Sequence, residues 1–261
     1  FFVGCRFAAA TLAVGLISLS DLKGMTKQDV YAGSLIGLTI VLGYGTQTIG
    51  LQSISSSESA FLTALYVPLV PVLLWLLFRK IPHVMTWIGS IFAFVGLIFL
   101  TGNGFQQISL NFGQSLTILG SIAIALEIIF IGYFAGKVNI QRVTVIQLAV
   151  ASLLAFASMP LVGEYHLPDF SWILVAITVG LGLASALIQL TMNWAQRSVA
   201  PSQAAIIYAG EPVWAALFGR IAGERLPILA LLGGLLVVVG VILSEWKPKF
   251  LNKTCHKKEF Q

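Results

Sequence analysis

Two carboxylates stand inside apolar runs of this chain, and they are where chemistry is most expected. Glu211 sits in AAIIYAGEPVWAAL (204–217) and Glu127 in SIAIALEIIFIGYF (121–134). A charged group at the centre of a bilayer costs about 2.5–3.5 kcal/mol on insertion scales, so such residues are retained for a reason. That reason is contact with a substrate or a proton, or pairing that holds helices together. For Glu211 the pairing partners on offer are Arg6 and Arg220. For Glu127 the alternative is a helix–helix hydrogen bond. Pro212, next to Glu211, removes one backbone donor and frees a carbonyl that needs a neighbour or a cavity.

Other polar side chains would complete an apolar pocket with a few placed donors and acceptors. Tyr44 and Gln47 lie on one run, and Gln189 and Asn193 on its counterpart later in the chain. Tyr66 and Tyr208 lie on the two proline-bearing runs. Interhelical packing would explain any one of these alone. Glycines such as Gly89, Gly96, Gly233 and Gly240 read as places of close helix approach. No metal or cofactor is expected: His83, His166 and His256 are scattered through loops and tail, and Cys5 and Cys255 stand at opposite ends. No H-E-x-x-H pair, activated nucleophile or G-x-x-x-x-G-K-[ST] loop occurs, which argues against a membrane-embedded enzyme and against ATP as the driving force.

The elements that must position these residues are membrane helices. The 261 residues are 57% hydrophobic and only 10% charged, where soluble domains are about one quarter charged. Nine apolar runs, near 1–20, 31–50, 59–78, 85–101, 112–134, 143–162, 171–193, 202–221 and 228–245, are long enough to cross a hydrocarbon core of about 30 Å. Most connectors between them are short and rich in turn residues. The alternating ten-residue segments of a β-barrel do not appear. The fold class expected is therefore an all-α polytopic membrane protein.

Charge placement sets the orientation. Lys23, Lys27, Arg79, Lys80, Lys137, Arg142 and Arg197 fall in alternate loops, and Lys247, Lys249, Lys253, Lys257 and Lys258 in the tail on the same side. Positive residues favour the cytoplasm, so Gln261 is expected inside and residue 1 outside. The net charge of +5 thus reflects topology, and nucleic acid is not an expected partner. The basic tail, 246–261, can also touch anionic lipid. The expected location is the plasma (inner) membrane.

An internal repeat gives the architecture. Gln52, Ala60, Pro68, Gly89 and Gly96 recur as Gln196, Ala204, Pro212, Gly233 and Gly240, a constant offset of 144. Equivalent helices would enter from opposite sides, which is the inverted repeat common in secondary transporters, with the site near the midplane. The second copy, 112–245, holds five runs, while the first, 1–101, holds four. A first helix before Phe1 is therefore expected, making two inverted five-helix repeats and ten helices in all.

Together these residues resemble the EamA-type members of the drug/metabolite transporter superfamily. The resemblance is carried by Arg6 in the first run, SSESAFLTALYVPLVPVL (56–73), SQAAIIYAGEPVWAALFGRIAGERL (202–226) and the closing GGLLVVVGVIL. It implies ten helices in two inverted repeats and transport of small metabolites, often outward. Members carry amino acids, nucleosides, sugars, polyamines and cationic drugs, so no single substrate is implied. The function expected is a secondary transporter that exports amino acids or related compounds by alternating access around a midplane cavity. Its helices would bend at Pro68, Pro71 and Pro212. Proton coupling, and a monomer or homodimer, are compatible with this reading. A lipid or lysolipid flippase on the same scaffold is the alternative.

Overall fold

The computed structural model describes residues 1–54, 56–79, 81–101, 111–164, 168, 171–211, 213–214 and 228–245. Among these the chain is helical, with no strand. The helices are α1 (Phe2–Ile17), α2 (Leu19–Leu22), α3 (Lys27–Gly50), α4 (Ser56–Thr63), α5 (Tyr66–Phe78), α6 (Val84–Thr101), α7 (Phe112–Phe134), α8 (Ile140–Ser158), α9 (Trp172–Ala195), α10 (Pro201–Tyr208) and α11 (Ile228–Glu245). Four of them, α3, α7, α8 and α9, are long and apolar enough to cross a membrane. α1, α5 and parts of α6 and α11 form shorter apolar helices.

Polar residues mark where the long helices begin. Thr26 and Asp29 form a reciprocal cap on α3, as Asn111 and Gln114 do on α7, while Asn139 caps α8. Such caps satisfy amide groups that have no partner within the helix. Asp29 also ties elements together. Its carboxylate accepts from the Asn139 amide at 3.2 Å and pairs with Arg142 at 3.6 Å. Arg142 in turn donates to the Asp21 carbonyl at 2.6 Å.

The chain divides into two compact units, each built from both halves of the sequence. The first comprises Phe1–Tyr66 and Ile108–Pro201. Here α3 packs along α7 and α8, and α1 packs along α8 and α9. Phe7, Val14, Ile36, Ile40, Ile131, Val143 and Leu148 form its core.

The second unit comprises Val67–Gln107 and Ser202–Gln261. Its main contact is α6 against α11, and that contact is made by glycine. A Cβ on Gly89 would stand 2.6 Å from the Gly240 carbonyl oxygen, and one on Gly96 would stand 2.6 Å from that of Gly233. In the reverse direction, a Cβ on Gly240 would meet the Gly89 carbonyl at 2.7 Å. The two helices are therefore antiparallel, and the contact has the self-complementary form of a two-fold axis.

Two expected spans break well inside their length, beyond the turns at Ser18 and Met159 near the ends of the runs 1–20 and 143–162. The run 59–78 breaks at Ala64–Leu65, between α4 and α5. Pro68 explains the position, because it has no N–H to donate to the carbonyl of Ala64 four residues back. Pro71 is accommodated inside α5. The bend thus falls ahead of the prolines rather than on them. The run 202–221 stops at Tyr208 and turns at Ala209–Gly210, while Pro212 and the part beyond Trp214 lie outside the described residues.

Both breaks have the same backbone pattern. Ala64 donates to Ala60 and Leu65 to Leu62, as Ala209 donates to Ala205 and Gly210 to Ile207. From 64 to 209 the offset is 145.

Candidate functional site

Glu127 does not stand alone in its apolar helix. It is 3% exposed, on the face of α7 turned towards α9. Gln189 donates from Nε2 to Glu127 Oε1 at 2.8 Å. Gln147 on α8 donates to Gln189 Oε1 at 2.7 Å. Asn193 Nδ2 then serves Gln147 Oε1 at 3.3 Å, Thr144 Oγ1 at 3.2 Å and the Gln189 carbonyl at 2.9 Å. All five side chains are buried.

Helical spacing makes this possible. Gln189 and Asn193 are four residues apart on α9, and Thr144 and Gln147 three apart on α8, so each pair shares one face. The amides run head to tail: Asn193 donates to Gln147, Gln147 to Gln189 and Gln189 to Glu127. Such chains polarise one another, and a fully satisfied network in low dielectric fixes its geometry. It also leaves Glu127 Oε1 as the terminal acceptor for three helices.

The other expected site residues go to different places. Tyr44 packs edge-on against Phe7, with ring centroids 5.5 Å apart. Gln47 donates to Thr63 Oγ1 at 3.0 Å, joining α3 to α4. Tyr66 and Tyr208 are half-buried beside the two helix breaks, Tyr66 opening α5 and Tyr208 closing α10. Glu211 departs most from expectation: it is exposed on its unit rather than buried. The reason is local. The turn at Ala209–Gly210 separates Glu211 from α10, in which Ser202, Gln203, Ala204, Ala205 and Ile206 are buried.

Arg6 lies on α1 and is half-buried. Its Nε donates to Ser185 Oγ at 2.7 Å. The guanidinium carbon lies 5.1 Å from the Tyr44 ring centre and 5.7 Å from that of Phe7. Arg220, the other cation considered for Glu211, lies outside the described residues.

The EamA-like transporter family model matches residues 1–102 and 111–246. The chain belongs to that family. This EamA-like chain is also 27% identical over 245 residues to an uncharacterized transporter of Archaeoglobus fulgidus, covering 93% of this chain and 73% of that protein. It is 24% identical to the uncharacterized transporter YvbV of Bacillus subtilis, over 60% of this chain and 52% of YvbV. A solved crystal structure superposes with a TM-score of 0.76 at 14% identity, covering 97% of this chain and 88% of that one, which shows the fold alone. The EamA-like chain is thus a multi-pass membrane transporter.

Sequence reasoning missed two members of the Glu127 network. Thr144 and Gln147 are single polar residues in the run VTVIQLAVASLLAF (143–156), and only their spacing of three sets them apart.

Proposed function

We propose that this EamA-like protein is a secondary transporter that exports amino acids or related small metabolites by alternating access. The observation that carries the reading is the pair of matching breaks at Ala64–Leu65 and Ala209–Gly210. Interrupted helices at corresponding points of two halves mark the moving, site-forming segments of such transporters. The glycine contact of α6 with α11, in which Gly89 faces Gly240 and Gly96 faces Gly233, supports an inverted repeat.

In this reading Glu127 and its amide chain form a rigid wall of the site. Tyr44, Gln47 and Tyr66 on the first unit, and separately Tyr208 and Glu211 on the second, are the groups that meet substrate or proton as the broken helices move. Residue 1 lies outside, Gln261 lies in the cytoplasm, and the protein works as a monomer or homodimer in the plasma membrane.

The test is solvent access at the breaks. Cysteines placed at Leu65 and Gly210, in a background with Cys5 and Cys255 replaced, are labelled with an impermeant thiol reagent from each side in turn. Alternating access predicts that substrate shifts labelling from one side to the other. Labelling from one fixed side under every condition contradicts it.

A further inference from the structure

The depth of Arg6 can be read from its partner. Ser185 lies near the middle of the 24-residue α9. At about 1.5 Å per residue it is about 20 Å from the start of the helix and about 15 Å from its end. The Arg6 carbonyl is level with the same stretch, since a Cβ on Gly182 would lie 2.8 Å from it. The guanidinium is therefore held midway along a membrane-spanning helix.

Everything that holds it there is neutral. Nε is taken by the Ser185 hydroxyl, which itself donates to the Leu181 carbonyl at 2.8 Å. The guanidinium carbon also lies over two aromatic rings, those of Phe7 and Tyr44. Among the described residues of this unit, the ion pairs are Phe1 with Glu164 and Asp29 with Arg142, and neither involves Arg6. Of the buried carboxylates among the described residues of the unit, Glu127 is engaged by Gln189 and Asp29 by Arg142 instead.

A guanidinium is a fork of five donors made for planar anions, and its charge is permanent. With Nε anchored and the plane braced by rings, the terminal nitrogens are pre-oriented at fixed depth. Among the described residues no carboxylate pairs with the guanidinium, so an anion that arrives there meets a cation whose charge is not yet neutralised.

We propose that Arg6 is the anion-binding residue of the transport site, and that it receives the carboxylate of the substrate. Tyr44 acts with it by bracing the guanidinium. This rests on the transporter reading above and narrows its substrate class to carboxylate-bearing metabolites. Compounds with the same skeleton but an amide in place of the carboxylate are rejected.

The experiment compares the twenty common L-amino acids with their α-amides in thermal-shift binding to the purified protein, alongside counterflow in proteoliposomes. At least one free acid should bind and exchange, and its amide should bind at least tenfold more weakly. Arg6→Gln should abolish that discrimination, and Arg6→Lys should retain part of it. Without ligand, Arg6→Met should be no less stable than the native protein, because an uncompensated charge has been removed.

Amides or cationic drugs that exchange as well as acids would overturn the Arg6 proposal and leave the transporter reading intact. A large loss of stability in ligand-free Arg6→Met would also overturn it, by showing that Arg6 serves an internal ion pair. If no acid, nucleoside or cationic drug exchanges, both readings fall.

Discussion

Gln189 Nε2 lies 2.8 Å from Glu127 Oε1 and binds α9 to α7 through a carboxylate with 3% exposure. The same amide accepts from Gln147 on α8 at 2.7 Å. One side chain therefore joins three membrane helices. Its removal would strand a carboxylate on one side and an amide on the other. Polar groups stranded in an apolar interior cost more than the bonds they normally form contribute.

Gln189→Leu should therefore lower stability by roughly 1–3 kcal/mol, the usual penalty for stranded buried partners. A detergent thermal melt reads this directly. Unchanged stability in Gln189→Leu would show that the bonds of Gln189 do not hold these helices together.

Glu127→Gln should behave differently. The amide keeps the shape and still offers an acceptor to Gln189, so the melt should move little. If Glu127 takes part in proton coupling, transport should lose its dependence on pH while the fold persists. Native transport at every pH would leave Glu127 with a packing role only.

The α6–α11 contact predicts a steric penalty. Gly96→Leu would drive a side chain into the Gly233 carbonyl, where a Cβ alone already stands at 2.6 Å. Overpacking of this kind costs about 1–3 kcal/mol. Leucine at Gly45, where a Cβ meets nothing within 4 Å, should be nearly neutral on the same assay.

Asp29→Ala removes the cap of α3 together with the bonds to Asn139 and Arg142. Loss of the cap alone costs about 0.5–2 kcal/mol, and Arg142 loses its carboxylate as well. Asp29→Asn should recover part of the loss, since it restores the cap acceptor but not the charge.

Much of this was legible in the sequence because long apolar runs are local signals. The run 112–134 is reproduced residue for residue by α7. The breaks were not legible in the same way. Ala64–Leu65 and Ala209–Gly210 sit in stretches as apolar as their neighbours, and a proline signals its effect four residues upstream. Glu127 stood out as a lone carboxylate, but its partners did not. Gln189 is 62 residues from Glu127 and 42 from Gln147, which lies between them in the sequence, so only the packing of α7, α8 and α9 brings them together. Glu211 differs from the expected burial for the opposite reason: the run around it is apolar, yet Glu211 follows a two-residue turn and is exposed.

The central claim, that this protein moves small metabolites across the membrane, is tested most directly by counterflow. Purified protein is reconstituted into liposomes loaded with an unlabelled amino acid mixture, and uptake of the labelled acids is followed against protein-free liposomes. The account predicts transient accumulation of at least one acid above the protein-free level, with Gln189→Leu much reduced. Uptake identical to protein-free liposomes for every amino acid, nucleoside and cationic drug tested, by protein that melts cooperatively, would contradict it.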